Sequence, residues 1–258
     1  FLVYRVFGYR KKVVTSNLER SFPEKTTAEI DVIRREFYRY FCDLSLETLK
    51  TLTITPEAVK QHMSHGDMSA FERFFGQKRS VIIVLGVLGI WELCGAYFSQ
   101  LPIHPLYVIY HPLRNPHFDQ LFYRMRTRLG NRLYPMKNAF KGMIKDRDKL
   151  TATAFIADQT PSPHNAHWMT FLHQDTPVFK GTEILATKLD YPVIYLSVIR
   201  ERRGHYRLES ELLAEHPREL PENALTEMHT RRLEQDIIAY PDTWLWSHRR
   251  WKHKRPEN

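Results

Sequence analysis

Residues 81–95 read VIIVLGVLGIWELCG, in which eleven uncharged positions lead into a solitary Glu92. That glutamate is the single charge in the eighteen residues from Val81 to Phe98, a length that a membrane-spanning helix would also fill. The internal order points elsewhere. β-Branched side chains occupy the first four positions, whereas Gly86, Gly89 and Gly95 interrupt the remaining ones, so the stretch predicts a buried strand, a tight turn and a helix. Glu92 then falls in the first turn of a helix beyond the carboxyl end of a central strand, where open α/β sheets bind their ligands. A helix dipole favours a carboxylate there. Its neighbours Ile90, Trp91, Leu93 and Cys94 offer it no partner, however, so the acid is either paired across space or functional.

Working outward, PLYVIY (105–110), TATAFIAD (151–158) and YPVIYLSVI (191–199) are equally short, β-rich and apolar, and read as buried central strands. Helical patterns lie between them at 90–99, 115–129, 138–148 and 178–189. HYRLESELL (205–213) alternates like an edge strand, and 224–240 is a last amphipathic helix. Before the strands come helices only. Thr26 to Glu29 form a capping box ahead of an apolar stripe that runs to about Leu52, Thr55-Pro56 opens a second helix, and 67–75 reads as a third. The expected fold is α/β, with a mixed, mostly parallel central sheet flanked by helices. At 258 residues and 43% hydrophobic, a single domain over 1–258 is expected, with a helical lead-in (1–78) and an α/β core (79–258).

The formal charge of +9 gathers toward both ends, in YRVFGYRKKVV (4–14) and HRRWKHKRP (248–256). Such an excess suits an anionic partner. Trp244, Trp246 and Trp251 among the C-terminal cations favour an anionic membrane surface, with a solvated basic tail as the competing reading. Nucleic acid is not the expected partner, because no recognition motif accompanies the charge. Cys42 and Cys94 read as two buried thiols. Thirteen histidines show no HxxxH, HExxH or CxxC spacing, and no metal is expected. The chain starts at Phe1, so an upstream segment, including a membrane segment, is expected to precede it.

GVLGIWELCG (86–95) closely resembles the GHxGNWExxG block of the lysophospholipid acyltransferase superfamily, in particular the bacterial late acyltransferases of lipid A synthesis, the lauroyl and myristoyl transferases. The likeness continues in order through YRKKVVTSNLERSFPE (9–24), NPHFDQLFYRMRTRLG (115–130), KGMIK (141–145), FIADQTPS (155–162), FLHQDTPVFKGTEILATKLDYPV (171–193) and PDTWLWSHRRWK (241–252). It implies a glycerol-3-phosphate acyltransferase-like fold. It also implies a His-x4-Glu dyad, in which a histidine on the turn takes the proton of an acceptor hydroxyl and the carboxylate orients the ring. Along one unbroken helix the two would stand roughly 140° apart, so the histidine belongs on the turn. In this chain the histidine position is Val87 and the family's asparagine is Ile90. Glu92 is left without its base. Three explanations stay open: an inactivating pair of substitutions, a natural pseudoenzyme, or a base from elsewhere, with His111 the nearest in sequence. The first is favoured, because two polar-to-apolar changes inside an otherwise intact block are local.

The resemblance further marks Arg126 and Asp158 as catalytic positions beside Glu92 and the altered Val87. Ile90, Trp91, Arg128, Gln159, Gly181 and Thr182 are marked as substrate-binding. An arginine fork suits a phosphate or a developing oxyanion, although a solvated basic helix face would look the same. Asp158 also reads as a turn cap and Thr182 as a helix cap. The implied activity moves a fatty acyl chain from acyl carrier protein or acyl-CoA to a lipid hydroxyl or amine at the cytoplasmic face of the bacterial inner membrane, with no cofactor. No GxSxG elbow suggests a covalent intermediate. The alternative is a non-catalytic lipid-binding or scaffold protein on the same fold.

Overall fold

The computed structural model describes residues 8–256, so positions 4–7 of the basic N-terminal run lie outside the described residues. α1 (Lys11–Ser21) leads into α2 (Thr27–Lys50), where Thr26 accepts from the Glu29 amide and the Glu29 carboxylate accepts from the Thr26 amide. α3 (Pro56–His62) is capped by Thr55 and runs directly into β1 (Met63–His65), and α4 (Ser69–Gly76) completes the lead-in. The lead-in is therefore not purely helical, because β1 joins the main sheet.

Residues 81–98 form a strand, a turn and a helix: β2 (Val81–Leu85) and α5 (Trp91–Phe98). Among the described residues no helix is long and apolar enough to cross a membrane. β3 (Leu106–Tyr110), α6 (Pro116–Thr127), β4 (Arg132–Pro135), α7 (Ala139–Lys145) and β5 (Ala152–Ile156) continue the alternation. A small hairpin, β6 (His167–Phe171) and β7 (Gln174–Val178), precedes α8 (Gly181–Leu189), β8 (Val193–Arg202), β9 (His205–Ala214) and α9 (Ala224–Ala239). The helix expected from 178 thus begins at Gly181.

The seven-stranded sheet runs β1-β9-β8-β2-β5-β3-β4, parallel at every junction except β8–β9. Both faces are covered, and the period-2 geometry of a strand sorts its residues between them. Ile82 and Val84 enter the core shared with α1, α2, α9 and the C-terminal segment, while Ile83 and Leu85 enter the one shared with α4 and Phe98 of α5. β9 is not the edge strand its alternation predicts, because β1 pairs with Tyr206 to Leu208. The alternation reports one face packed inward, where Tyr206 and Leu208 are buried, and a wetter opposite face.

The tryptophans correct a second expectation. Trp244 and Trp246 are 2% and 0% exposed, so they are core residues and do not lie at a membrane interface. The C-terminal segment folds back over the sheet, and the indole N–H groups find interior acceptors: Trp244 on Asp158 and Trp251 on the Thr176 hydroxyl. The interleaved Arg250 is equally buried and donates to the Pro177 carbonyl. Cys94 is buried, which pushes its thiol up to about 12, whereas Cys42 is only half-buried.

The β2–α5 turn requires its glycines. Gly89 has φ +63°, and a Cβ there would stand 2.5 Å from Val198 Cγ1 and 2.8 Å from the Val198 carbonyl. Gly89→Ala should lower the unfolding free energy by about 2 kcal/mol or more, from combined backbone strain and overpacking, as read from denaturant midpoints.

Candidate active site

Glu92 lies in the first turn of α5 and is almost fully buried. α6 brings Arg126 across to it. Nη2 donates to Oε1 at 2.6 Å and Nε to Oε2 at 3.0 Å, with a longer Nε contact to Oε1 at 3.2 Å. The side chains are 7% exposed for Glu92 and 23% for Arg126. This is a bidentate pair in a shielded position, a fork geometry that adds orientation as well as energy to the hydrogen bonds. Burial works against the guanidinium's charge, but the hydrogen bonds and charge of Glu92 outweigh it and hold Arg126 above its ordinary value. Phe122, one turn earlier on α6, places its ring 5.6 Å from the Arg126 guanidinium carbon.

The pair faces a cavity of about 530 Å³ at the carboxyl ends of β2, β3 and β5, within the size range of small-molecule sites. Its walls are apolar: Ile83 and Leu85, Leu106 and Val108, Ala154 and Ile156, the alternate residues of three parallel strands, together with Phe98 and Leu196. Val87, Trp91 and Gln159 also line it. So do Tyr110, His111, Leu113, Asn131 and Met136, none of which was expected as a site residue except His111 as a substitute base. The signal for them was the strand end at 110, after which HPLRNP must turn over the same sheet edge. The His111 Nδ1 donates to the Pro112 carbonyl at 2.9 Å, which leaves Nε2 of the neutral ring as a proton acceptor.

Asp158 does not face this cavity. Its Oδ2 accepts from the Val87 amide at 2.7 Å and from Trp244 Nε1 at 2.8 Å, so the carboxylate holds the β2–α5 turn from behind. Asp158, Arg250 and His229 line a small void of about 10 Å³ on that side. Burial raises the Asp158 carboxyl, although Trp244, the Val87 amide and Arg250 oppose the shift. Burial also lowers Arg250 to about 10 and His229 to about 4.

Other expected residues lie outside the site. Ile90 is fully buried in an apolar cluster with Tyr40, Leu93, Cys94 and Val198. Arg128 donates to the Ile54 and Thr51 carbonyls, tying the end of α6 to the α2–α3 connection. Gly181 and Thr182 begin α8, and neither lines the cavity. The next residue, Glu183, carries the local chemistry: its carboxylate accepts from the amides of Asn223 and Thr226 and so caps α9.

Residues 2–253 match the sequence profile of the bacterial lipid A biosynthesis acyltransferases. The chain belongs to this family. Among its relatives, the lipid A biosynthesis palmitoleoyltransferase of Escherichia coli K12 is 22% identical over 94% of this chain and 79% of its own length. The lipid A biosynthesis acyltransferase of Shigella flexneri matches to the same extent. As in the family block, the acid stands at the start of the helix after β2; the turn before it carries valine.

Two measurements test the electrostatics. Arg126→Leu should cost about 3 to 5 kcal/mol in chemical unfolding by leaving Glu92 buried and unpaired, and the Glu92→Leu/Arg126→Leu double variant should recover most of it. His229 is held neutral, so its contribution is present above its ordinary value of 6.5 and is lost as pH falls through about 4. Asp158, raised in the fold, works in the opposite sense. Replacing His229 with Phe should therefore flatten the acid limb of a Tm–pH curve across that window.

Proposed function

We propose that this chain is a membrane-associated acyltransferase of the lipid A type that accepts a fatty acyl chain in the apolar cavity and turns over slowly. One observation supports the reading above all: Val87 and the Glu92–Arg126 pair line the same apolar cavity at the carboxyl end of the sheet. In acyl transfer from acyl carrier protein or acyl-CoA, the acceptor hydroxyl or amine attacks the thioester carbonyl, surrenders its proton to a base and expels the thiol. Arg126 is placed to stabilise developing negative charge, and the cavity keeps water from the chain. Valine takes no proton, and loss of a general base costs typically 10²- to 10⁴-fold. The expected setting is the cytoplasmic face of the bacterial inner membrane.

A second reading, a non-catalytic acyl-lipid binding or scaffold protein, draws on the same pair. Glu92 is already engaged by the Nε–Nη2 edge of Arg126 and has no imidazole to orient.

One assay separates the two. Transfer of a labelled acyl group from acyl carrier protein and from CoA to a lipid A precursor should rise at least about 100-fold in Val87→His. Ile90→Asn is left out of the primary variant, because an amide in that apolar cluster would lack partners and lower stability. Turnover by the unaltered chain at the Val87→His rate overturns the lost base. No gain in a folded Val87→His protein that carries bound fatty acid by native mass spectrometry supports the binding protein. If residual transfer by the unaltered chain falls to background in His111→Gln, His111 is the substitute base.

A further inference from the structure

Residues 111–147 contain nine lysines and arginines against two aspartates, a third basic segment beside the two near the ends of the chain. The same segment exposes a set of large apolar side chains, among them Leu113, Phe118, Leu121, Met136, Phe140 and Ile144, each 38–57% exposed. Their arrangement is regular. From 136 to 145 the sequence reads MKNAFKGMIK, the 3₁₀ turn Met136–Asn138 running on into α7. Ala139 and Met143 face inward and are buried. Met136, Phe140 and Ile144, at intervals of four, form an outward apolar stripe, and Lys137, Lys141 and Lys145 form a parallel row one residue on. Lys188 adds a cation 5.1 Å above the Phe140 ring. On α6 the apolar stripe that turns inward at Phe122 and Met125 runs on, one turn earlier, into exposed Phe118 and Leu121. The rim of the cavity belongs to this face, because Leu113, Phe122 and Met136 line it.

We infer that this face, α6 with α7 and the 111–115 loop, is where the protein seats on an anionic phospholipid bilayer, with the mouth of the cavity opening toward the acyl chains. An apolar stripe beside a lysine row is the pattern of a helix lying in the interface, where long cationic side chains reach the headgroups while the apolar ones enter the acyl boundary. The charge selects the occupant. A neutral surface would gain nothing from the row Lys137, Lys141 and Lys145, whereas each Lys or Arg near an anionic leaflet adds attraction that salt screens. For a chain-binding cavity this placement lets a lipid enter without exposing its hydrocarbon to water. The inference rests on the acyl-chain reading of the cavity for its purpose, but its test does not pass through acyl transfer.

The test is flotation of the full chain with phosphatidylcholine vesicles, with and without one-quarter phosphatidylglycerol, at low and high salt. Binding is expected with the anionic vesicles and should weaken with salt. Lys137→Glu/Lys141→Glu/Lys145→Glu and, separately, Phe140→Ser/Ile144→Ser should each reduce it at least about tenfold. Leu46→Ser/Leu49→Ser, which removes a more exposed apolar pair on α2, should leave it unchanged. The fluorescence of Phe140→Trp should be quenched by bromine-labelled lipid chains beyond the quenching of the parent protein. Equal binding to neutral and anionic vesicles overturns the inference, as does loss in the α2 control equal to that in the α7 variants. A dimer that the α7 substitutions dissociate, without vesicle binding, would give the face to a second copy of the chain and also overturn it. Vesicle binding as expected with no gain of turnover in Val87→His would leave the membrane face standing and sink the catalytic reading alone.

Discussion

The carboxylate of Asp158 is the point on which the site hangs. It is buried at the end of β5, and a single oxygen accepts both the Val87 amide and the Trp244 indole. Three distant pieces of chain are thereby joined: the turn after β2, the end of β5 and the returning C-terminal segment. The turn can lie this close only because of its glycines, since a Cβ on Gly86 would stand 3.2 Å from the same carboxylate oxygen and 2.4 Å from Leu233. A buried acid is costly without donors. Here the donors are the parts whose positions define the front of the cavity, so the cost of burial is tied to the geometry of the turn.

On the cavity side of that turn the second buried acid is handled differently. Glu92 is matched by one guanidinium from α6, and pairing draws α5 and α6 together along one flank of the apolar cavity. With Val87 on the turn before α5, the carboxylate meets an arginine from α6 and an apolar side chain from the turn, both on the same cavity. The apolar wall of the cavity has a separate origin. It forms because alternate residues of β2, β3 and β5 point to the same side and are all apolar.

Cations and aromatic rings can mean opposite things in this chain. At the C-terminus they alternate in sequence, yet Trp244, Trp246 and Arg250 are interior, each with a hydrogen-bond partner there. In 136–145 the same mixture stays outside, because helical geometry places the lysines and the large apolar side chains on adjoining outward rows and gives the inward face to Ala139 and Met143. Both segments mix cations with large apolar side chains, tryptophan with arginine in one and methionine, phenylalanine and isoleucine with lysine in the other. What differs is whether buried acceptors await the N–H groups.

The sequence by itself determined the order of strands and helices and the position of the acid. Four near-continuous apolar runs, the glycines after Val84 and the capping box at Thr26 are local signals, and each appears in the structure where its chemistry requires. Helix starts were less secure where a hairpin intervened: QDTPV carries a proline and an aspartate and shows no strand pattern, yet it pairs as β7 because β6 lies beside it. Only the tertiary structure decided which polar residues meet. Arg126 and Arg128 differ by two positions, and that roughly 200° of helical rotation sends one to Glu92 and the other to the Ile54 carbonyl. Asp158 and Gln159 are adjacent, yet one turns behind the β2–α5 turn and the other into the cavity. Periodicity says which face of an element is buried, but the identity of a partner depends on which elements cross there, and that is set by packing over the whole sheet.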